Sequence, residues 1–488
     1  MRDINLPPYA PILMESTRAI GYSLEAAIAD VIDNSVAAEA DNIRINFFPV
    51  DEEYVYILDN GYGMNSDEIT QAMQYGSKNP NEVRDANDLG RFGLGLKTAS
   101  LSQCRLLTVV SKRFDNIVCR QWDLDYIANT EEWSLKVLEE DEIGDLPGFE
   151  ALKELEAGTL VVWQNLDRMR LGEVDFDMAM GRKMDEVREH LSLVYHRYLS
   201  GEPGLKRVNM QLNNTKIHPR DPFLETQSDI PMDDEVLLIN GSKVNVRTYI
   251  LPHPSKLNKG EIEQLGGKEG LRRQQGFYVY RNKRLLVWGT WFRMMRQSEL
   301  SKLVRIRVDI PNALDDLWTL DIKKSVAIPP AVVRSNLKVL IDRMAERSKR
   351  TWTFRGKKET SDSIEHVWNR LKTNNGGYIY EINRDHQMID AFLQQYPQTK
   401  NAFMTLMKQV EANIPLNALY VDLTSDEKIE NETMNKLSDV ITLASNVLRG
   451  YDKCSRENIL NAILVSEPFS EYADEIRMAY MEGRLDDR

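Results

Sequence analysis

With 488 residues, the chain is long enough for two or three domains that each bury a full interior. Its 42% hydrophobic and 28% charged residues, with no apolar run near the roughly eighteen needed to cross a bilayer, exclude a membrane-spanning role and lead us to expect a soluble protein. A net charge of -13 excludes indiscriminate nucleic-acid binding by the whole surface, and the three widely spaced cysteines, Cys104, Cys119 and Cys454, exclude a disulfide framework. The opening residues, with Arg2, Asp3, Pro7 and Pro8, lack the pattern of an export leader, so a reducing cytoplasm is expected.

In chain order, Leu24, Ala27, Ile28, Val31, Ile32 and Val36 recur at three and four and predict a helix from Ser23, its N-cap, to Ala40. Runs rich in β-branched and aromatic residues follow at Ile43–Phe48, Tyr54–Leu58, Arg105–Ser111, Ile117–Leu124 and Thr159–Gln164, and predict one mixed sheet. A helix over Met178–Leu199 runs up to Gly201, Pro203 and Gly204, which punctuate the chain strongly enough to end a first domain near residue 200. Val208–Leu212, Glu235–Ile239, Val244–Ile250, Gly276–Val287 and Val304–Ile310 then predict strands of a second α/β region, closed by a helix that Pro329 and Pro330 open. Past Glu359 the apolar spacing in Ile364–Leu371, Met388–Phe392, Ala402–Val410 and Leu437–Leu448 is helical. Charge divides unevenly along this order, because Lys256–Arg307 holds thirteen Lys or Arg against four Glu, whereas the tail is acidic.

Four short segments carry chemistry. Asp30 and Asn34 stand four apart on the first helix and share a face, so a carboxylate and an amide can meet one ligand. Asp59-Asn60-Gly61-Tyr62-Gly63-Met64 sets an acceptor carboxylate, suited to an exocyclic adenine amine, at a strand end whose glycines admit a ligand close to the backbone. Gly90-Arg91-Phe92-Gly93-Leu94-Gly95-Leu96-Lys97 leads into a helix, where successive N–H groups and the helix N-terminus favour phosphate and Lys97 can add a charge-assisted contact. Gly158-Thr159 opens a further strand with a hydroxyl beside the sheet. Each alone is an ordinary turn, loop or strand start, and the segment at Gly90 lacks the P-loop spacing; the order of all four is the signal.

That series resembles the N, G1, G2 and G3 boxes of the GHKL ATPases, the group of gyrase B, the heat-shock-90 chaperones, histidine kinases and MutL. The segment Tyr75-Gly76-Ser77-Lys78, leading to Gly90-Arg91-Phe92-Gly93, is most similar to MORC proteins and their bacterial relatives. The resemblance implies an α+β chain: a Bergerat-type ATP-binding sandwich over 1–200 with an N-terminal strap and a lid at about Gly76–Gly95, a transducer-like α/β domain over 201–355, and a mainly helical region over 356–488. ATP and magnesium are the implied cofactors. Asn34 would ligate magnesium, Asp59 would read adenine with Thr159, and Gly61, Gly63, Met64, Gly76, Ser77 and Gly90 to Lys97 would line the nucleotide. Asp30 would activate water, although most hydrolysing members carry Glu there, so slow turnover is expected. In the second region Gly276–Leu285 resembles a MORC and MutL strand, and Trp318–Ser325 resembles the loop that brings a lysine to the γ-phosphate, with Lys323 and then Lys324 as candidates.

The family implies a homodimer on ATP binding. The basic middle adds DNA as a partner, in bacterial DNA processing or phage defence alongside a nuclease or helicase, since the tail shows no nuclease signature of its own. A chaperone-like clamp on protein clients is the alternative. A kinase of the histidine-kinase branch is disfavoured, because none of the six histidines lies in a dimerisation-helix pattern ahead of the motifs.

Overall fold

The computed structural model describes residues 8–19, 21–76, 95–228, 234–252, 254–267, 270–298, 301–315, 318–320, 327–339, 365–372, 378–415, 437–449 and 456–485, with the single residues 3, 6, 341, 419 and 451. They form two compact units, Met1–Thr353 and Phe354–Arg488.

The first unit opens with α1 (Ala10–Arg18) and α2 (Leu24–Ala37), followed by strands β1 (Asn42–Phe48) and β2 (Tyr54–Asp59) and helices α3 (Ser66–Met73) and α4 (Gly95–Leu101). Strands β3 (Leu106–Arg113) and β4 (Asn116–Asp123), helix α5 (Leu124–Thr130), strand β5 (Lys136–Leu138), helix α6 (Phe149–Lys153) and strand β6 (Ala157–Gln164) come next. Helices α7 (Asp167–Arg170), α8 (Phe176–Val194) and α9 (His196–Ser200) lead to β7 (Asn209–Leu212) and β8 (Thr215–Lys216). These eight strands make one sheet in the order β5-β4-β3-β6-β2-β1-β7-β8, antiparallel except where β1 runs parallel to β7. The strand expected at Val208–Leu212 therefore completes the first sheet rather than beginning the second, because its backbone groups pair with Asn42–Ile45 beyond the Gly201 punctuation.

Alternation decides which face each strand residue meets. Ile43, Ile45, Val55, Ile57, Leu107, Val109, Val161 and Trp163 point to one face, where the apolar stripes of α2 and α8 cover them. On the other face Leu58, Val110, Leu160 and Val162 pack against Phe149 and Leu152 of α6, so the sheet has a thick helical layer on one side and a thin one on the other. Ser23 does occupy the N-cap of α2 with extended backbone, but its hydroxyl makes no capping bond. At α3 the cap is complete: Asn65 accepts from the N–H groups of Asp67 and Glu68, and Glu68 accepts from that of Asn65.

A second sheet of the same unit has the order β12-β11-β13-β10-β9, from β9 (Glu235–Ile239), β10 (Ser242–Ile250), β11 (Gly276–Arg281), β12 (Arg284–Thr290) and β13 (Val304–Ile310). The run Gly276–Val287, read from sequence as one stretch, is a hairpin. Asn282 and Lys283 both take positive φ, 47° and 66°, the two-residue turn that matches strand twist. Residues 331–339 are helical, and Val333 and Leu337 bury against this sheet.

The second unit is mainly helical, with Gln387–Gln395, Lys400–Ala412, Leu437–Arg449, Arg456–Ile463 and Ala473–Met481. One expectation fails within it: Trp368–Lys372 is a strand paired with Tyr378–Ile382, not part of a helix. The β-branched and aromatic residues of Tyr378–Ile382, on the far side of an Asn-Asn-Gly-Gly turn signal, outweigh a brief helical spacing. Among the described residues no helix is long and apolar enough to cross a membrane.

Candidate functional site

The long apolar stripe of α2 holds its polar residues in fixed places. Asp30 and Asp33 are buried at 3% and 1% exposure, whereas Asn34 is exposed. The Asp30 Oδ2 accepts from Tyr22 Oη at 3.0 Å, and a Cβ added to Gly95, the first residue of α4, would stand 3.4 Å from the same oxygen. A side chain at the start of α4 would thus touch the carboxylate of α2, although 64 residues separate them in sequence. One turn further, Asn34 Nδ2 donates to Asp30 O at 3.2 Å, which leaves its Oδ1 as the acceptor of that amide. Asp33 turns away from Asn34: Tyr195 Oη donates to its Oδ1 at 2.6 Å and Arg284 Nε at 3.1 Å.

A row of polar side chains crosses the sheet where β2, β6 and β3 lie side by side. Asp59 pairs with Thr159, and Thr159 with Ser111, in backbone register. Asp59 Oδ2 accepts from Ser35 Oγ at 2.7 Å and Oδ1 from Gly61 N at 2.9 Å. Burial raises the Asp59 pKa, a shift that the Ser35, Gly61 and Thr159 hydrogen bonds only partly oppose. Ser111 Oγ accepts from Met64 N at 2.8 Å and lies 3.1 Å from Thr159 Oγ1, which ties the loop after Asp59 to both neighbouring strands. Two glycines make this packing possible. Gly63 has φ +66° and sits on Lys112 O, and Gly158 sits on Asp59 O, so a side chain at either would collide with backbone.

Lys97 is buried, and its Nζ donates to Ala72 O at 2.8 Å, while Trp122 Nε1 donates to Met73 O at 3.0 Å. The lysine therefore caps the C-terminal carbonyls of α3, where the helix dipole also favours a cation. Leu96 packs on the core beside it, and Gly76, φ +71°, follows α3. Ser77, Gly90, Arg91, Phe92, Gly93 and Leu94 lie outside the described residues, as do Lys323 and Lys324.

Sequence reasoning passed over Tyr22, Ser35, Ser111 and Tyr195, and took in Arg284 only as part of the basic turn in Gly276–Leu285. Ser35 had a signal, standing next to Asn34 in the first motif; Tyr22, Ser111 and Tyr195 reach the site from segments whose local pattern is that of ordinary strand, helix or loop.

A family model described as Histidine kinase-, DNA gyrase B-, and HSP90-like ATPase matches residues 22–159, the span that contains α2, Asp59, α4 and Thr159. The chain carries a GHKL-type ATPase domain. The chain is also similar to the protein named ATPase morc-1 of Caenorhabditis elegans, 31% identical over 94 residues. That match covers 19% of this chain and 10% of the relative, so the chain spans only a tenth of that protein's length in the comparison.

The residues present suit a magnesium ion that arrives with its nucleotide. Among the described residues no three His, Cys, Asp or Glu side chains converge as a metal cage, and the exposed Asn34 amide offers a single neutral oxygen. Magnesium keeps waters and phosphate oxygens as most of its ligands, which is the donor set such a site would leave to it.

Proposed function

We propose that this chain binds Mg-ATP between α2, the ends of β2 and β6 and the start of α4, hydrolyses it slowly, and uses the bound nucleotide to close a homodimeric clamp on DNA. The observation that supports it best is the Asp30 carboxylate held by Tyr22 against Gly95, one turn before an exposed Asn34. Asp30 takes the proton of the attacking water; general-base help of this kind contributes about 10²- to 10⁴-fold. Asp is shorter than Glu by one methylene, roughly 1.5 Å of reach, which is why turnover is slow. Asp59 and Thr159 receive the adenine edge, and Gly61, Gly63 and Met64 form the floor of that end. Asn34 would hold magnesium, which when bound would neutralise phosphate charge. Gly76, Ser77 and Gly90 to Lys97 belong to the lid, with Lys97 anchoring its base. Lys323 or Lys324 meets the γ-phosphate.

In this reading residues 1–200 are the ATP-binding domain with its strap, 201–355 the transducer-like domain and 356–488 a helical appendage. It is a cytoplasmic, ATP-dependent dimer that works with nuclease or helicase partners in bacterial DNA processing or phage defence. One observation favours the second reading, a clamp on protein clients: of the thirteen cations in Lys256–Arg307, Arg281, Arg284, Lys302 and Arg305 are buried and unavailable to a DNA surface.

The test compares wild type, Asp30→Ala and Asn34→Ala for ATP affinity, turnover and nucleotide-dependent dimerisation, with and without duplex DNA. Asp30→Ala is expected to bind ATP and dimerise with turnover reduced at least about 10²-fold. Asn34→Ala is expected to lose the magnesium-dependent part of its affinity. Full turnover in Asp30→Ala would refute the assignment, and turnover and dimerisation both indifferent to DNA would favour the protein client.

A further inference from the structure

Arg284 opens β12 directly after the Asn282-Lys283 turn, and it is buried deep inside the unit rather than displayed on the basic surface its sequence neighbourhood suggests. Its Nε donates to Asp33 Oδ1 at 3.1 Å, and its Nη2 lies 4.0 Å from Asp30 Oδ1. The guanidinium carbon is 6.0 Å from the centre of the Tyr195 ring, whose hydroxyl also donates to Asp33. The turn is held in turn by α9: Tyr198 Oη donates to Asn282 O at 2.6 Å, and Arg197, stacked 5.0 Å from the Tyr280 ring, pairs with Asp309 of β13 at 2.5 Å. The hairpin of the second sheet is therefore seated on the helices of the first by specific polar contacts, and its cation ends between the two buried carboxylates of α2.

This placement puts a hydrogen-bond donor at one Asp30 oxygen and a cation near the other. Tyr22 donates to Oδ2, and the guanidinium faces Oδ1 at 4.0 Å, so the setting of the Cβ–Cγ bond that meets both is favoured. The cation also offsets the repulsion between two carboxylates three residues apart on a buried helix face, where charge is poorly screened. Asp33 holds Arg284 more closely than Asp30 does, so the cation is in place whatever Asp30 is doing.

The geometry points to Arg284 as a positioning residue for hydrolysis: reaching over from the second sheet, it orients the Asp30 carboxylate, so water activation requires the β11–β12 hairpin to be seated on α2. This rests on Asp30 being the water-activating carboxylate. Arg284 touches neither water nor nucleotide in this role, and its effect passes through Asp30 alone.

The experiment measures kcat, KM and equilibrium ATP affinity on the full chain for wild type, Arg284→Met, Arg284→Lys, Asp33→Asn, Asp30→Ala and the Arg284→Met/Asp30→Ala double variant. Arg284→Met is expected to lower kcat about tenfold or more, since misplacement of about 1 Å can cost a hundredfold, while ATP affinity stays within about twofold. Arg284→Lys should recover part of the loss, and Asp33→Asn, which loosens the anchor of Arg284, should lower kcat by an intermediate factor. In the Asp30→Ala background Arg284→Met should leave the residual rate unchanged, the signature of action through one group. If Arg284→Met does not fold, Asp33→Asn and Arg284→Lys carry the decision by the same split between kcat and affinity. Wild-type kcat in these variants, a rise in kcat, equal losses of kcat and affinity, or multiplicative losses in the double variant would each overturn the inference while the ATPase reading stands. Absence of turnover in wild type would overturn the hydrolysis reading, and this inference with it.

Discussion

Asp59 has the environment that most sharply conditions what it can do. It is buried, and it accepts from Ser35 and from the Gly61 N–H, yet desolvation still raises its pKa. The sign matters in two directions. A carboxyl whose folded-state pKa lies above its unfolded value lends stability that is complete below the unfolded pKa and is lost as pH rises through the folded one. Adenine recognition runs the opposite way, because the exocyclic amine needs the ionised acceptor. ATP affinity is therefore predicted to fall on acidification through the raised pKa, at a pH above the ordinary aspartate value of about 3.9, while the ligand-free domain gains stability over the same interval. Calorimetric titrations across that range in wild type and Asp59→Asn check this, and Asp59→Asn should bind weakly without the pH step. An affinity that is flat with pH in wild type would contradict the assignment of Asp59 to adenine. Of the polar row that supports Asp59, Thr159 was legible in the sequence because Gly158-Thr159 opens a strand at the right place in a series. Ser111 was not. It sits mid-strand, and only the register of β3 on β6 reveals that it bridges Met64 and Thr159.

Among the elements, α3 and α4 show how the contact a side chain makes can differ from the one its motif suggests. Glycines followed by Gly95-Leu96-Lys97 suggest a lysine aimed at phosphate, whereas in the fold its ammonium grips Ala72 O and the helix it belongs to is pinned to the end of α3. Spacing along a chain cannot anticipate that, since Ala72 precedes Lys97 by 25 residues and the two meet only when α3 packs on β4 and α4 packs on α2. Lys97→Met is predicted to destabilise the chain by about 1–3 kcal/mol, because a buried carbonyl loses its charged donor. Urea unfolding followed by circular dichroism measures it; a change below a few tenths of a kcal/mol would mean that the Ala72 contact is dispensable. The helix α2 was the most legible element, because its apolar period is strong and uninterrupted. The hairpin at Trp368–Ile382 was the least, because a few apolar residues fit a helical spacing before the turn residues are weighed.

At the scale of the whole molecule, the two sheets of the first unit are joined through α8 and α9, with Leu193, Phe223, Tyr249, Tyr278, Tyr280 and Leu285 as a shared apolar cluster. Arg197 and Arg284 add polar links on either side of it. Domain boundaries read from Gly and Pro could not foresee this, because the chain crosses Gly201 and returns to the first sheet as β7 before starting the second. The basic run of the middle region illustrates the same limit: counted along the sequence it looks like a surface, but several of its cations are internal and serve the fold. Everything proposed about clamp closure and hydrolysis depends on a magnesium nucleotide occupying the space framed by Asp30, Asn34, Asp59 and Gly95. The most direct measurement is isothermal titration of the full chain with ATP in the presence and absence of magnesium, paired with thermal unfolding at saturating nucleotide. The account predicts saturable heat, tighter binding with magnesium, and a midpoint that climbs with nucleotide concentration, by about 2.7 kcal/mol of stabilisation at a hundredfold excess over Kd. No heat and an unmoved midpoint would contradict it.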